Sequence, residues 1–387
     1  MSTSNFRVMD WDEIADCLQW CRGQTLRSFQ GFTDSLGEQC VVPYKESLNP
    51  PLWEFGHVAW FQTYWITRNK HREKGLNYTA HTHALPHPDQ PDAIFNSSLL
   101  AHSPRWELEA ITAEKVVAVL ERGLNEVLEC LSKDAASDKT SPYFYQLAIA
   151  HECMHLEAFL MQANQLGIAV ESVSAPGALP NNEHAGCQPT KRIHVPAQTL
   201  MSHTAEPDVA TQHHFVFDNE CPPRKWEVDA FEIDSRPISY GEYAPILERR
   251  PHSGLHAGPK GLEKLFFGQW IAVDESAPVT NIRLDDAQAW CEMHGRRLPT
   301  EAEWLAASAL EDFALGEVWE WTADPFLPFD GFAPHPYVDY SKPWFGDHQL
   351  LKGWSWATPT PMRDRQFRNF YKPHRADAFN GFRSVSR

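Results

Sequence analysis

Apolar positions recur at helical spacing through roughly the first 167 residues, and then the spacing breaks. A first helix is predicted from Asp10, with Glu13 three residues on completing a capping box and Trp11, Ile14, Leu18 and Cys21 along its stripe. A second follows Asn49-Pro50-Pro51, where proline suits the first helical turn; its apolar face carries Trp53, Trp60, Phe61 and Tyr64. A third runs from about Thr112 to Leu131, with Val116, Leu120, Leu124, Val127 and Leu128 in phase. A fourth begins near Ser141-Pro142 and stops at Leu166-Gly167, the glycine standing where a helix C-terminus favours it. Four amphipathic helices predict a four-helix bundle over residues 1–170, with an ordered excursion at 66–110.

Residues 171–190, rich in Pro, Gly and Asn, read as a linker. Beyond it the pattern predicts short strands, such as RIHVPAQ at 192–198 and HFVFDNE at 214–220. Helices are expected at Leu284–His294 and Thr300–Ala307, and the last 80 residues read as loop-rich. Residues 191–387 are therefore expected to form an irregular α+β domain.

Composition narrows the function. The 387 residues carry a net charge of −17, which argues against nucleic acid and anionic membranes as partners. No apolar run is long enough to span a bilayer, and the opening MSTSNFRVMDWDE lacks the apolar core of a secretory leader. The eight cysteines are scattered without a CxxC pair, so a cytoplasmic, reducing setting is expected. The 19 histidines direct attention to metal ligation.

The fourth helix contains His151-Glu152-Cys153-Met154-His155. Histidines at i and i+4 share one face, with Cβ atoms about 6 Å apart, and can grip one metal ion. Leu147, Met154, Ala158 and Gln162 lie on that face, so the pair is expected to point into the bundle. His57 sits on the buried stripe of the second helix and is the expected third ligand. Three neutral imidazoles leave open positions on an octahedral iron, for a substrate and dioxygen, or room for a water on zinc. HECMH also fits the HExxH pattern of zinc hydrolases, in which the glutamate is the general base. Glu157, beside the site, is a candidate for supporting a ligand.

The segments NPPLWEFGHVAWFQTYW (49–65) and HECMHLEAF (151–159) resemble the DinB-type bundle of the ergothioneine-pathway sulfoxide synthases. GRRLPTEAEWLAA (295–307), GEVWEWTADPF (316–326), LKGWSWAT (351–358) and FRNFYKPHRADAFNGFRS (367–384) resemble the formylglycine-generating-enzyme domain, with its C-type-lectin-like α+β fold. The resemblance implies a mononuclear non-haem iron(II) enzyme with His57, His151 and His155 as ligands and O₂ as co-substrate. It implies hercynine (trimethylhistidine) and a thiol as the partners, joined at the imidazole C2. WFQTYWITRN and FNSSLLAHSPRW (95–106) are more similar to the selenoneine-synthase branch, which implies a selenosugar in place of the thiol.

The resemblance places Asn369 and Phe370 against hercynine, the aromatic face suiting a quaternary ammonium. Arg105 is a candidate contact for an anionic donor or the hercynine carboxylate, and Met154 stands where the family has a substrate-facing glutamine. An acidic residue expected after the Asn-Trp of the family is Tyr371 here, and a Tyr-Pro-Gly-Phe element reads Phe329-Asp330-Gly331-Phe332. Both departures argue against γ-glutamylcysteine as donor and leave Tyr371 and Tyr64 as the candidate proton donors. Cys291 is the one cysteine after 221, so the second domain is expected to be a substrate wall without sulfatase-modifying chemistry. Trp319, Trp321, Trp354 and Trp356 are expected to pack its core. A zinc hydrolase and a non-catalytic binding protein are the rival readings.

Overall fold

The first helix, α1 (Trp11–Leu36), starts where its caps dictate. Asp10 accepts from the Glu13 amide, and the Glu13 carboxylate accepts from the Asp10 amide. In this computed structural model, which describes residues 4–78, 89, 91–109, 111–137, 140–169, 190–202, 214–259 and 261–387, the bundle continues with α2 (Pro51–Gln62). A π-helical turn at Thr63–Thr67 extends α2. The single-turn α3 (Asp92–Phe95) interrupts the excursion expected at 66–110. Then come α4 (Ala113–Ala135), capped by Thr112, and α5 (Tyr143–Leu166), ended by Gly167 in the left-handed conformation. The helix pairs α2–α4, α1–α5 and α1–α4 form the main packing. Helix α2 is buried along its whole length, and α5 along most of it, so these two form the centre of the bundle.

Residues 171–189 of the expected linker lie outside the described residues. After them come β1 (Arg192–Val195) and β2 (Gln198–Met201); the predicted strand RIHVPAQ is split at Pro196. HFVFDNE is not a strand. Its Phe215, Val216 and Phe217 are buried, but Asp218–Glu220 forms a single 3₁₀ turn. The Glu220 carboxylate accepts from the Phe217 amide and pairs with Arg7, which commits the segment to side-chain contacts in place of a ladder.

The remaining strands are β3 (Lys225–Val228), β4 (Phe231–Asp234), β5 (Leu255–Gly258), β6 (Gly261–Phe266), β7 (Gln269–Ala272), β8 (Arg296–Arg297), β9 (Trp319–Pro325), β10 (Gln349–Gly353), β11 (Asn369–Tyr371), β12 (Asn380–Gly381) and β13 (Val385–Ser386). The helices among them are α6 (Tyr240–Tyr243), α7 (Leu284–Met293) and α8 (Glu301–Ala307). Two four-stranded sheets, in the orders β1-β4-β13-β8 and β11-β10-β9-β12, accompany a β2-β3 hairpin and a β5-β6-β7 meander. The last 80 residues thus hold more regular structure than their loop-rich composition suggests. Apart from β9 those strands run five residues or fewer, so alternation has little room to register in sequence.

One large apolar core runs from α1, α2 and α5 into β9, β10 and the Ala378–Phe382 segment. The N-terminal residues join it as well, because Phe6 packs on Phe215 and Phe217. Trp319 and Trp321 are buried, as expected of packing residues. No helix among the described residues is long and apolar enough to cross a membrane.

Candidate metal centre and substrate cleft

The i, i+4 spacing on α5 brings His151 and His155 together, with ring centroids 4.6 Å apart. The ring of His57, on the facing helix α2, lies 5.0 Å from that of His151 and 5.3 Å from that of His155. One candidate ligand atom from each lies within 4.8 Å of the others, and among the described residues no thiolate or carboxylate joins the set. His57 and His151 are buried; His155 is half-buried and faces a cleft.

Each ring is held by a neighbour. The His57 Nδ1–H donates to the Phe95 carbonyl at 2.7 Å, which leaves Nε2 with a lone pair. That lone pair points at Nε2 of His151, 3.2 Å away. Two imidazole nitrogens meeting this closely need a proton or a cation between them. The His155 Nδ1–H donates to Glu54 at 2.8 Å, and the other Glu54 oxygen accepts from Gln162. Phe61 stacks on His151 with centroids 3.5 Å apart and planes 2° from parallel. Trp53 stacks on His57 in the same manner, at 5.0 Å.

Burial lowers the pKa of His57 to about 3, and the neighbouring His155 adds to the effect. His151 is likewise pushed well below the ordinary histidine range, again chiefly by burial. Neutral imidazoles are the form that binds a metal ion. The donor set of three such nitrogens, two of them with nearby groups fixing the tautomer, therefore fits a borderline divalent cation such as iron(II) or zinc.

Glu152, the general base of an HExxH hydrolase, is not free for that task. Its fully buried carboxylate accepts from Arg22 at 2.9 Å, Thr25 at 2.7 Å and Gln62 at 2.5 Å. The charge is matched by a guanidinium on α1, within the bundle core.

Beside His155 opens a cleft of about 350 Å³ between α5 and the β11 edge of the second sheet. Met154, Asn369, Phe370 and Tyr371 all line it. The β10–β11 register sets Leu350 opposite Phe370 and Leu351 opposite Asn369, which fixes this wall. One face of Phe370 is already covered by Phe326, stacked at 4.1 Å. Tyr371 is half-buried, and desolvation raises its pKa, so its hydroxyl keeps its proton at neutral pH.

Two expected residues stand elsewhere. Arg105 is not on the cleft wall: its guanidinium lies 3.8 Å over Trp53 and donates to Asn49 and the Leu100 carbonyl. Trp53 offered a large aromatic face, and the cation took it. Tyr64 lines a separate hollow of about 170 Å³ with Trp60, Trp65 and Tyr78.

Sequence reasoning missed Glu54, although it lies three residues before His57 on the same helical face and that spacing was a usable signal. It also missed Tyr340, whose hydroxyl approaches the Met154 sulfur at 4.0 Å. Glu157 does not support a ligand. Its carboxylate accepts from Trp319 at 2.9 Å, Ser355 at 2.5 Å and Thr358 at 2.7 Å, tying α5 to the second domain.

Comparison with known proteins bears on the same features. Residues 18–159 match the DinB superfamily, and residues 181–313 and 308–387 match the sulfatase-modifying factor enzyme 1-like domain. The chain is 24% identical to the hercynine oxygenase of Mycobacterium tuberculosis, over 96% of this chain and 98% of that protein. It is 25% identical to the hercynine oxygenase of Mycolicibacterium thermoresistibile, over 96% and 94%. It is 24% identical to ergothioneine biosynthesis protein 1 of Schizosaccharomyces pombe, over 87% of this chain and 52% of that protein. The chain belongs to the sulfatase-modifying factor enzyme 1-like family, in the form with a preceding DinB superfamily bundle that aligns end to end with the hercynine oxygenases.

Proposed function

We propose that the chain is a non-haem iron(II) oxidoreductase of the ergothioneine sulfoxide synthase type, which uses O₂ to attach a chalcogen to the imidazole C2 of hercynine. The observation that carries this reading is the convergence of three neutral imidazoles, His57, His151 and His155, beside a cleft. The end-to-end likeness to hercynine oxygenases supports it. In the overall reaction a C–H bond and a chalcogen–H bond break, a carbon–chalcogen bond and a chalcogen–oxygen bond form, and the second oxygen atom leaves as water. Iron(II), when bound, would supply a redox-active Lewis acid with open positions for the reactants.

The chain's own groups do the rest. The Phe95 carbonyl and Glu54 hold His57 and His155 in the tautomer that presents Nε2. The cleft seats hercynine between α5 and β11, with Asn369 as polar contact and the Phe370 ring toward the trimethylammonium. Tyr371, protonated at neutral pH, gives a proton to reduced oxygen. Arg105 acts through Trp53 on the seating of His57.

A selenosugar is the favoured donor. The cationic side chain on the cleft wall is Arg375, and it is already paired with Asp377. A donor bearing carboxylates would find no free counter-charge there, whereas a neutral sugar needs none. The test is donor competition. The iron(II)-loaded protein is given O₂, hercynine and an equimolar mixture of a selenosugar, a thiosugar, cysteine and γ-glutamylcysteine, and the products are weighed by mass spectrometry. A hercynine–selenosugar adduct as the main product is expected. A main adduct with γ-glutamylcysteine would overturn the donor assignment, and no adduct with any donor would overturn the reaction.

A further inference from the structure

A second large cavity, of about 430 Å³, lies on the seam between the bundle and the second domain. Lys45 and Gln165 contribute from the bundle side, and Tyr240, His252 and Lys264 from the other. Gln165 lines this cavity and the histidine cleft alike, so it stands as the partition between them.

The unusual group is Lys264, on β6. Its amine lies 4.7 Å from the ring centre of Phe266 and 5.3 Å from that of Tyr240. Among the described residues no carboxylate pairs with it. The other charged or titratable groups on the wall are committed elsewhere. Asp377 accepts from Arg375, Lys45 donates to the Gln165 carbonyl, and the His252 ring donates to the Asn281 carbonyl. Burial alone lowers the Lys264 pKa to about 8. A desolvated ammonium without a counter-charge is costly, and an anion entering the cavity removes that cost.

We propose that this cavity is an anion-binding site distinct from the histidine cleft, in which Lys264 anchors the carboxylate or phosphate group of a small molecule. Lys264 is half-buried, and the aromatic faces of Tyr240 and Phe266 hold its amine at the cavity wall. The site stands whether or not the reaction proposed above is correct.

The test is competitive labelling of the full-length protein near neutral pH with an amine-reactive reagent, read at Lys264 by peptide mass spectrometry. Inorganic phosphate and acetate are the probes, and chloride at equal ionic strength is the control. An anion seated on the ammonium raises its pKa, and each unit of rise lowers the reactive neutral fraction about ten-fold. Saturable slowing of that order at Lys264 by phosphate or acetate, unmatched by chloride, is expected; which probe acts names the ligand chemistry. Calorimetric binding of that probe should disappear in Lys264→Met and persist in Lys133→Met, an exposed lysine of α4 away from the cavity, both variants being checked for native circular dichroism. Equal slowing by chloride, no slowing by either probe, or undiminished binding by Lys264→Met would overturn the proposal.

Discussion

His57 is held from three sides: its Nδ1–H by the Phe95 carbonyl, one ring face by Trp53, and its edge by the two histidines of α5. Such a ring has little freedom left to lose when it binds a metal ion. Its replacement should be correspondingly severe. His57→Ala is expected to abolish stoichiometric iron(II) binding, measured by metal analysis after anaerobic reconstitution, whereas a site resting on His151 and His155 alone would retain it. Glu54→Gln keeps the shape of the side chain but loses the charged acceptor for His155. Iron affinity should fall about 10- to 100-fold, read by competition with a chelator, while the fold stays intact. The three histidines were legible because two of them share a helical face at the spacing a metal demands, and the third lies on a buried stripe. Arg105 was assigned to substrate because a lone basic residue in a loop carries no mark of where its side chain will rest. Its cation–π partner Trp53 lies 52 positions earlier in the chain.

At the level of elements, α2 and α3 work as one unit. Gly56 precedes His57, and a Cβ added there would stand 2.3 Å from a ring carbon of Phe95, whose carbonyl orients His57. Gly56→Ala should therefore displace α3, destabilise the protein by about 1–3 kcal/mol in chemical denaturation, and weaken iron binding in step. A substitution that lowered stability without touching iron affinity would contradict the link between the two helices. Helix α5 serves three neighbours with three faces. His151 and His155 meet α2, Glu152 meets Arg22 of α1, and Glu157 meets the second domain. Helices α1 and α4 were legible because each is long enough for a periodic stripe and has a side-chain N-cap, whereas α2 was marked by Pro51 at its first turn and α5 by Gly167 at its end. HFVFDNE misled because a run of aromatic and β-branched residues suggests a strand, whereas its Glu220 pairs with Arg7, far apart in sequence, and the segment turns at Asp218–Glu220.

Across the whole molecule, the cleft beside His155 exists only because the two domains are joined. Its floor is α5, its wall is β11, and Glu157 fastens α5 to the second domain through Trp319 of β9 and through Ser355 and Thr358 in the segment after β10. In Glu157→Gln the new amide group faces donors. A loss of about 1–3 kcal/mol of stability is expected by urea denaturation, with a larger loss of substrate affinity than of iron affinity. The seam also carries a pH dependence. Burial lowers the pKa of His335 to about 4, while in the unfolded chain it titrates near 6.5. The unfolded state then binds the proton first, so stability present above pH ~6.5 is lost as the pH falls toward about 4. In His335→Gln that part of the decline should be missing from the pH profile of the denaturation midpoint. The division into a helical half and an irregular half could be read from the change in periodicity. The clasp between them could not, since Glu157 on a histidine-bearing helix suggests a ligand partner until the opposing hydroxyls and indole are in view.

The central claim is that His57, His151 and His155 hold an iron that consumes O₂ when hercynine is present. Oxygen uptake by the iron(II)-loaded chain, with hercynine and a selenosugar added in turn, tests it most directly. Sustained uptake is expected with both present, reduced to background when either is omitted, when zinc replaces iron, or in His57→Ala. Uptake independent of hercynine, or undiminished in His57→Ala, would contradict the account.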